Sequence, residues 1–147
     1  MRRHRMGASG RQPAQALIEA ALALLLLALL AIGLLGLVRF QQAQAGVDAV
    51  AYEAARAAVL ANTADEARHL GASRGQALAP AYGLTNGTLD LAIQAEPFGR
   101  GQPVRAEATY TVHFDDLPLL GWASRQVTAR HAEFVETYRS LGVVRRR

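Results

Sequence analysis

The run from Leu17 to Val38 constrains this chain more than any other feature, because Glu19 alone interrupts an otherwise apolar stretch. About twenty helical residues, each rising roughly 1.5 Å, match a hydrocarbon core about 30 Å thick. The run therefore reads as a transmembrane helix. A buried helix in a water-soluble fold would need apolar partners on every side, and a chain of 147 residues has too little left to supply them. The remainder suffices for one small folded unit and not for two full domains.

Charge gives the span a direction. Sixteen basic residues oppose twelve acidic ones, a formal charge of +4. Much of the excess lies at the ends, in Arg2, Arg3, Arg5 and Arg11 and again in Arg145, Arg146 and Arg147. Residues 1–16 are basic, carry glycine and proline, and lack apolar periodicity, so they read as a flexible leader without structure. Positive charge before the span places the N-terminus in the cytoplasm and residues 39–147 on the far side. The final arginine cluster could touch acidic phospholipid or a partner, with a solvated tail as the default. Nucleic-acid binding would need a basic stripe on a folded surface, and only terminal clusters occur, so no nucleic acid is expected. The absence of cysteine excludes disulfides, thiol catalysis and thiolate metal sites.

Past the span the helical pattern continues through Ala61, with no proline and many alanines. Val47, Val50, Ala51, Ala54 and Ala58 share a stripe at 3.6-residue spacing that should pack on the distal domain, while Asp48, Tyr52 and Arg56 lie on another face. The small residues of this stretch could equally pack on helices of other subunits. Thr63 with Glu66 fits a capping box opening a second helix through about Leu78, and Pro80 and Gly83 end it. From Thr88 the period becomes two. Leu89, Leu91, Ile93 and Ala95 describe one half-buried strand after an Asn86-Gly87 turn. Val104, Ala106, Ala108, Tyr110 and Val112 describe a second, joined to the first by the loop from Phe98 to Pro103. Asp115 to Trp122 reads as a loop, and a third strand is expected from about Ala123 to Phe134 with Val127 and Ala129 on one face. The predicted class is α+β: a long N-terminal helix, first transmembrane and then amphipathic, a short second helix and a three-stranded antiparallel sheet.

Glu19 sits just inside the apolar run, where a buried carboxylate costs about 2.5 to 3.5 kcal/mol at the bilayer centre. It either snorkels to water at the cytoplasmic interface or pairs with a positive group on a neighbouring subunit. The run Ala14-Gln15-Ala16-Leu17-Ile18-Glu19-Ala20-Ala21-Leu22, after an arginine-rich leader and before a leucine-rich helix, resembles the N-terminus of TadE-like proteins. These are minor pseudopilins of tight-adherence (Flp) pilus systems. The resemblance covers roughly Arg11 to Ala61, and more loosely the strands that follow. It implies cleavage by a prepilin peptidase between Ala14 and Gln15, which makes Glu19 the fifth residue of the mature chain. Ala14 stands where the family has glycine. It also implies docking through Glu19 with other pilin-like subunits at a bacterial inner membrane, and a non-enzymatic role in pilus assembly. The chemistry is legible in the residues: cleavage leaves an α-ammonium, and a carboxylate one helical turn along a neighbouring helix can neutralise it. The same carboxylate complements the unpaired N–H groups at the helix start.

Two other classes compete. Ala43-Gln44-Ala45 is an A-x-A-like site whose cleavage would release a secreted domain, but the apolar run is longer than the 7 to 15 or so residues of a signal h-region. An uncleaved signal-anchored extracytoplasmic binding protein fits the same span without filament assembly. An enzyme has little support. His4, His69, His113 and His131 form no i, i+4 pair with a neighbouring carboxylate of the kind a helical zinc site needs, and no nucleophile motif or phosphate-cradling loop appears. No catalytic residue, metal or cofactor is expected. Asp115-Asp116 reads as a solvated acidic pair and not a calcium site. Trp122, near Leu119 and Leu120, is expected in the core of the small domain, with exposure to a partner as the alternative.

Overall fold

Ala14, Gln15 and Ala16 are good helix formers, and they carry the first helix well before the apolar run begins. The structure, a computed structural model, describes residues 11–136; Arg2, Arg3, His4, Arg5 and the arginine cluster 145–147 lie outside the described residues. Helix α1 is unbroken over 48 residues, Arg11–Ala58. The expectation of an unstructured leader therefore fails for residues 11–16. Pro13 does not prevent this, because in a first turn its missing N–H has no intrahelical partner to lose. The far end stops at Ala58, three residues short of the expected limit, where Val59 and Leu60 form a closing turn.

Contacts divide the chain between Leu37 and Val38. In the first unit α1 carries leucines on every face, among them Leu17, Leu22, Leu24, Leu25, Leu26 and Leu30, and all are exposed. The helix is long and apolar enough to cross a membrane, and none of its most apolar stretch is buried.

In the second unit the pattern switches from large to small side chains. Val47, Val50, Ala51, Ala54, Ala55 and Ala58 are fully buried, the first three in a cluster with Ala108, Tyr110, Val112, Val127 and Ala129 of the sheet. Ala54 and Ala55 meet Ala106, and Ala58 joins Ala61, Ala95 and Val104. The alanine stripe is thus covered by the chain's own sheet and second helix, the alternative to packing on other subunits. Asp48, Tyr52 and Arg56 face solvent, and Arg56 Nη1 donates to Tyr52 Oη at 3.3 Å. Full burial of Val47, Val50 and Val104 contributes on the order of 1.5 kcal/mol each.

Helix α2 spans Ala64–Leu78. Thr63 caps it by accepting from the Glu66 N–H at 3.2 Å, while Glu66 Oε2 accepts from the Asn62 N–H at 2.8 Å, one residue earlier than in the standard reciprocal box. Its buried residues are Ala67, Gly71 and Gly75. A Cβ on Gly71 would come within 3.0 Å of the Ala54 carbonyl oxygen, and one on Gly75 within 2.7 Å of Leu91 and 3.3 Å of Val50. Each glycine costs about 1 kcal/mol of helix propensity relative to alanine, offset by the close packing it permits against α1 and the sheet. A short 3-10 turn, Ala79–Tyr82, follows, and Gly83 closes it at φ 76°.

Strands β1 (Gly87–Gln94), β2 (Pro103–His113) and β3 (Ser124–Phe134) form one antiparallel sheet in the order β1-β2-β3. Leu91, Ala108 and Ala129 stand opposite one another across the sheet, as do Leu89, Tyr110 and Val127, so the alternating residues fall on one inner face as expected. Asn86-Gly87 is not the left-handed turn its sequence suggests. Gly87 pairs with Val112 as the first residue of β1, and a Cβ there would lie 2.1 Å from the Thr111 carbonyl oxygen. Close backbone approach, not turn chemistry, demands the glycine.

Candidate functional site

Ala14, Gln15 and Glu19 all lie on α1, and all three are exposed. Gln15 and Glu19 are four residues apart, so they occupy one face of the helix. Glu19 forms no ion pair with any described side chain, and Ile18 and Leu22 beside it are exposed as well. The structure thus brings together the expected cleavage position and the expected docking carboxylate within one turn, with no part of the described fold covering them. Their placement inside a helix means that the Ala14–Gln15 peptide must be unwound before a protease can cut it. Terminal turns open at close to zero free energy.

A second group of charged residues lies just past the apolar run. Arg39 Nη2 donates to Asp116 Oδ2 at 2.6 Å, its Nη1 pairs with Oδ1 of the same carboxylate, and Nη1 also donates to the His113 carbonyl at 3.5 Å. This two-pronged pair ties α1 to the loop between β2 and β3 across 77 positions of sequence. The Arg39 guanidinium holds the Asp116 carboxyl below its ordinary range, chiefly through the hydrogen bond. Asp115 stands 4.0 Å from His113 Nδ1. Both carboxylates are exposed, as expected of a solvated acidic pair, and Asp116 is in addition held by Arg39. Local sequence pattern does not reveal this pairing; its one signal is an isolated arginine closing an apolar run.

Arg39, Gln42, Tyr82, Asn86, Tyr110 and His113 line an open groove of about 670 Å³. Burial raises the Tyr110 phenol above its ordinary value, and the hydrogen bond from the Asn86 backbone partly opposes that shift.

The loop from Phe114 to Ala123 corrects the expectation for Trp122. Trp122 is 86% exposed and donates its indole N–H to the Leu119 carbonyl at 3.0 Å. Leu117 and Leu120 take the inward positions against the core instead. Three successive turns, from Leu117 N–H to Phe114 oxygen, Leu120 to Leu117 and Ala123 to Leu120, set that alternation and carry the tryptophan outward.

The remaining histidines stay apart. His131 meets Tyr52 edge-on with ring centroids 4.8 Å apart and sits 3.3 Å from Glu133, while His113 lines the groove beside Arg39. Among the described residues no group of three or more metal-ligating side chains converges. Comparison of the chain with protein-family models, with curated proteins and with solved structures found no match.

Proposed function

We propose that the chain is a TadE-like minor pseudopilin, a non-enzymatic component of tight-adherence pilus assembly in the bacterial inner membrane. Its N-terminus lies in the cytoplasm and residues 39–147 lie outside. A prepilin peptidase cleaves between Ala14 and Gln15, and the new α-ammonium of one subunit meets Glu19 of another as the helices slide into register. The observation that carries this reading is an exposed Glu19, without an ion pair among the described residues, one turn beyond Gln15 on a helix whose leucines are otherwise bare. In lipid a lone carboxylate is costly and an ion pair relieves that cost.

One observation favours the uncleaved signal-anchored binding protein instead. The Ala14–Gln15 bond is helical, and Ala14 replaces the family's glycine, whose weaker helix propensity would open the site more readily.

N-terminal sequencing and intact mass of the membrane-extracted protein, with and without a co-expressed prepilin peptidase, separate the two. The pseudopilin reading requires a peptidase-dependent start at Gln15. It further requires that Glu19→Leu leave insertion intact while abolishing co-purification with pilin-like subunits. A start at Met1 in both samples would establish the anchor, and a soluble product starting at Gly46 would mean a secreted domain.

A further inference from the structure

Three observations converge on the loop from Phe114 to Ala123. First, Leu119 and Trp122, both large and apolar, are 68% and 86% exposed, although Leu117 and Leu120 beside them pack on the core. Second, Leu119 adopts φ 66°, a left-handed conformation that costs a branched, bulky side chain free energy and that accumulates where function over-determines the backbone. Nothing in the described fold repays that cost by covering Leu119. Third, the Arg39–Asp116 pair and the Arg39–His113 hydrogen bond fasten the start of the loop to the residue directly after the apolar run. In a chain that crosses a bilayer from Leu17 to Val38, Arg39 stands at the membrane–water boundary, and whatever its guanidinium holds stands there too.

We infer that this loop is a second membrane contact, with Leu119 and Trp122 seated in the interfacial layer of the bilayer that α1 crosses. Indole suits that layer because its ring is apolar and its N–H polar, the reason tryptophan gathers at both membrane faces. Here the N–H is already satisfied by the Leu119 carbonyl, which leaves the ring free to enter the upper acyl region. The Arg39 charge is met by the Asp116 carboxylate, and that pair with the hydrogen bond to the His113 carbonyl holds the loop in place. The loop contact rests on the membrane-spanning reading of α1 and not on the pilus role.

Trp122 is the only tryptophan in the chain, so its fluorescence reports the loop without labelling. The full chain is reconstituted into vesicles of three parts phosphatidylcholine to one part phosphatidylglycerol and floated on a density gradient. Emission is then compared between plain lipids and lipids brominated high or low on the acyl chain. We expect protein in the floating fraction, blue-shifted emission, and severalfold quenching by bromine high on the chain with less by bromine near its end. Leu119→Asp, at an exposed position, should float equally, keep its far-UV circular dichroism and lose most of the quenching. Floating protein whose emission matches water-exposed indole and ignores bromine would overturn the loop contact while leaving the span intact. Blue-shifted emission that bromine does not quench would place Trp122 against protein and overturn it as well. Failure to float would overturn the span and the loop contact together.

Discussion

The two halves of α1 are both apolar in character and live by opposite rules. Up to Leu37 the helix is leucine-rich and bare; from Val38 it is alanine-rich and its inner stripe is completely buried. Large side chains on every face suit a medium that is itself apolar on every side, and this half is long and apolar enough to cross a membrane. Small side chains on one face let a sheet and a second helix approach closely, and there the stabilisation comes from packing and burial. Arg39 stands at the seam between the two compositions.

That contrast can be broken most severely by enlarging the packed half. Ala54→Leu adds volume where the sheet, Gly71 and Gly75 leave none, and should destabilise the folded unit by about 3 kcal/mol, read as a lowered denaturant midpoint in detergent. The converse change in the bare half, Leu26→Arg, should leave that midpoint unchanged. It should instead weaken membrane insertion by about 2.5 kcal/mol, measured as the fraction resisting carbonate extraction. Val50→Ala deletes buried volume without overpacking and should cost about 2 kcal/mol of domain stability, whereas Leu25→Ala should cost the domain nothing. The smallest effect concerns the seam. The folded Asp116 carboxyl lies below its ordinary value, so its contribution is present above the normal carboxylate range and is lost as pH falls through the lowered value. Glu107, held down mainly by its hydrogen bond from Arg130 at 2.9 Å, behaves in the same sense. An acid titration of stability should therefore lose part of its slope below about pH 4 in Asp116→Asn; over the same range Trp122 emission should become less constrained in the native chain, and in the variant it should be so already at neutral pH.

Much of this architecture is legible in the sequence itself. Apolar runs and periods of 3.6 and 2 report which face needs covering, so Leu17 to Val38, the stripe from Val47 to Ala58 and the inward residues of β2 can be read directly. What local pattern cannot supply depends on partners distant in sequence or on turn geometry. The size of Trp122 suggests core, but the turns of its loop give the inward places to Leu117 and Leu120. Gly87 has the look of a turn residue because it follows asparagine, yet the Thr111 carbonyl is what excludes a side chain. Arg39 and Asp116 are 77 positions apart, and no local pattern pairs them. At the candidate site Glu19 stands out in the sequence as the one charge in an apolar run, whereas Ala14 and Gln15 come from the resemblance; all three are exposed on α1. The helical state of the Ala14–Gln15 peptide follows from neither, because the basic, proline-bearing leader carries no apolar period to mark a helix.

The central claim, that one helix passes from lipid to protein, is most directly tested by cysteine accessibility, since the chain has no cysteine to interfere. Leu26→Cys, Asp48→Cys and Ala51→Cys are reconstituted into vesicles and exposed to a membrane-impermeant maleimide, before and after urea. Leu26 is 67% exposed in the protein itself, so protection there must come from lipid or from a neighbouring helix. The account predicts that the variant at 26 stays unreactive throughout, the one at 48 reacts at once, and the one at 51 reacts only after urea unfolds the domain. Rapid labelling at 26 in intact vesicles, equal to that at 48, would contradict it.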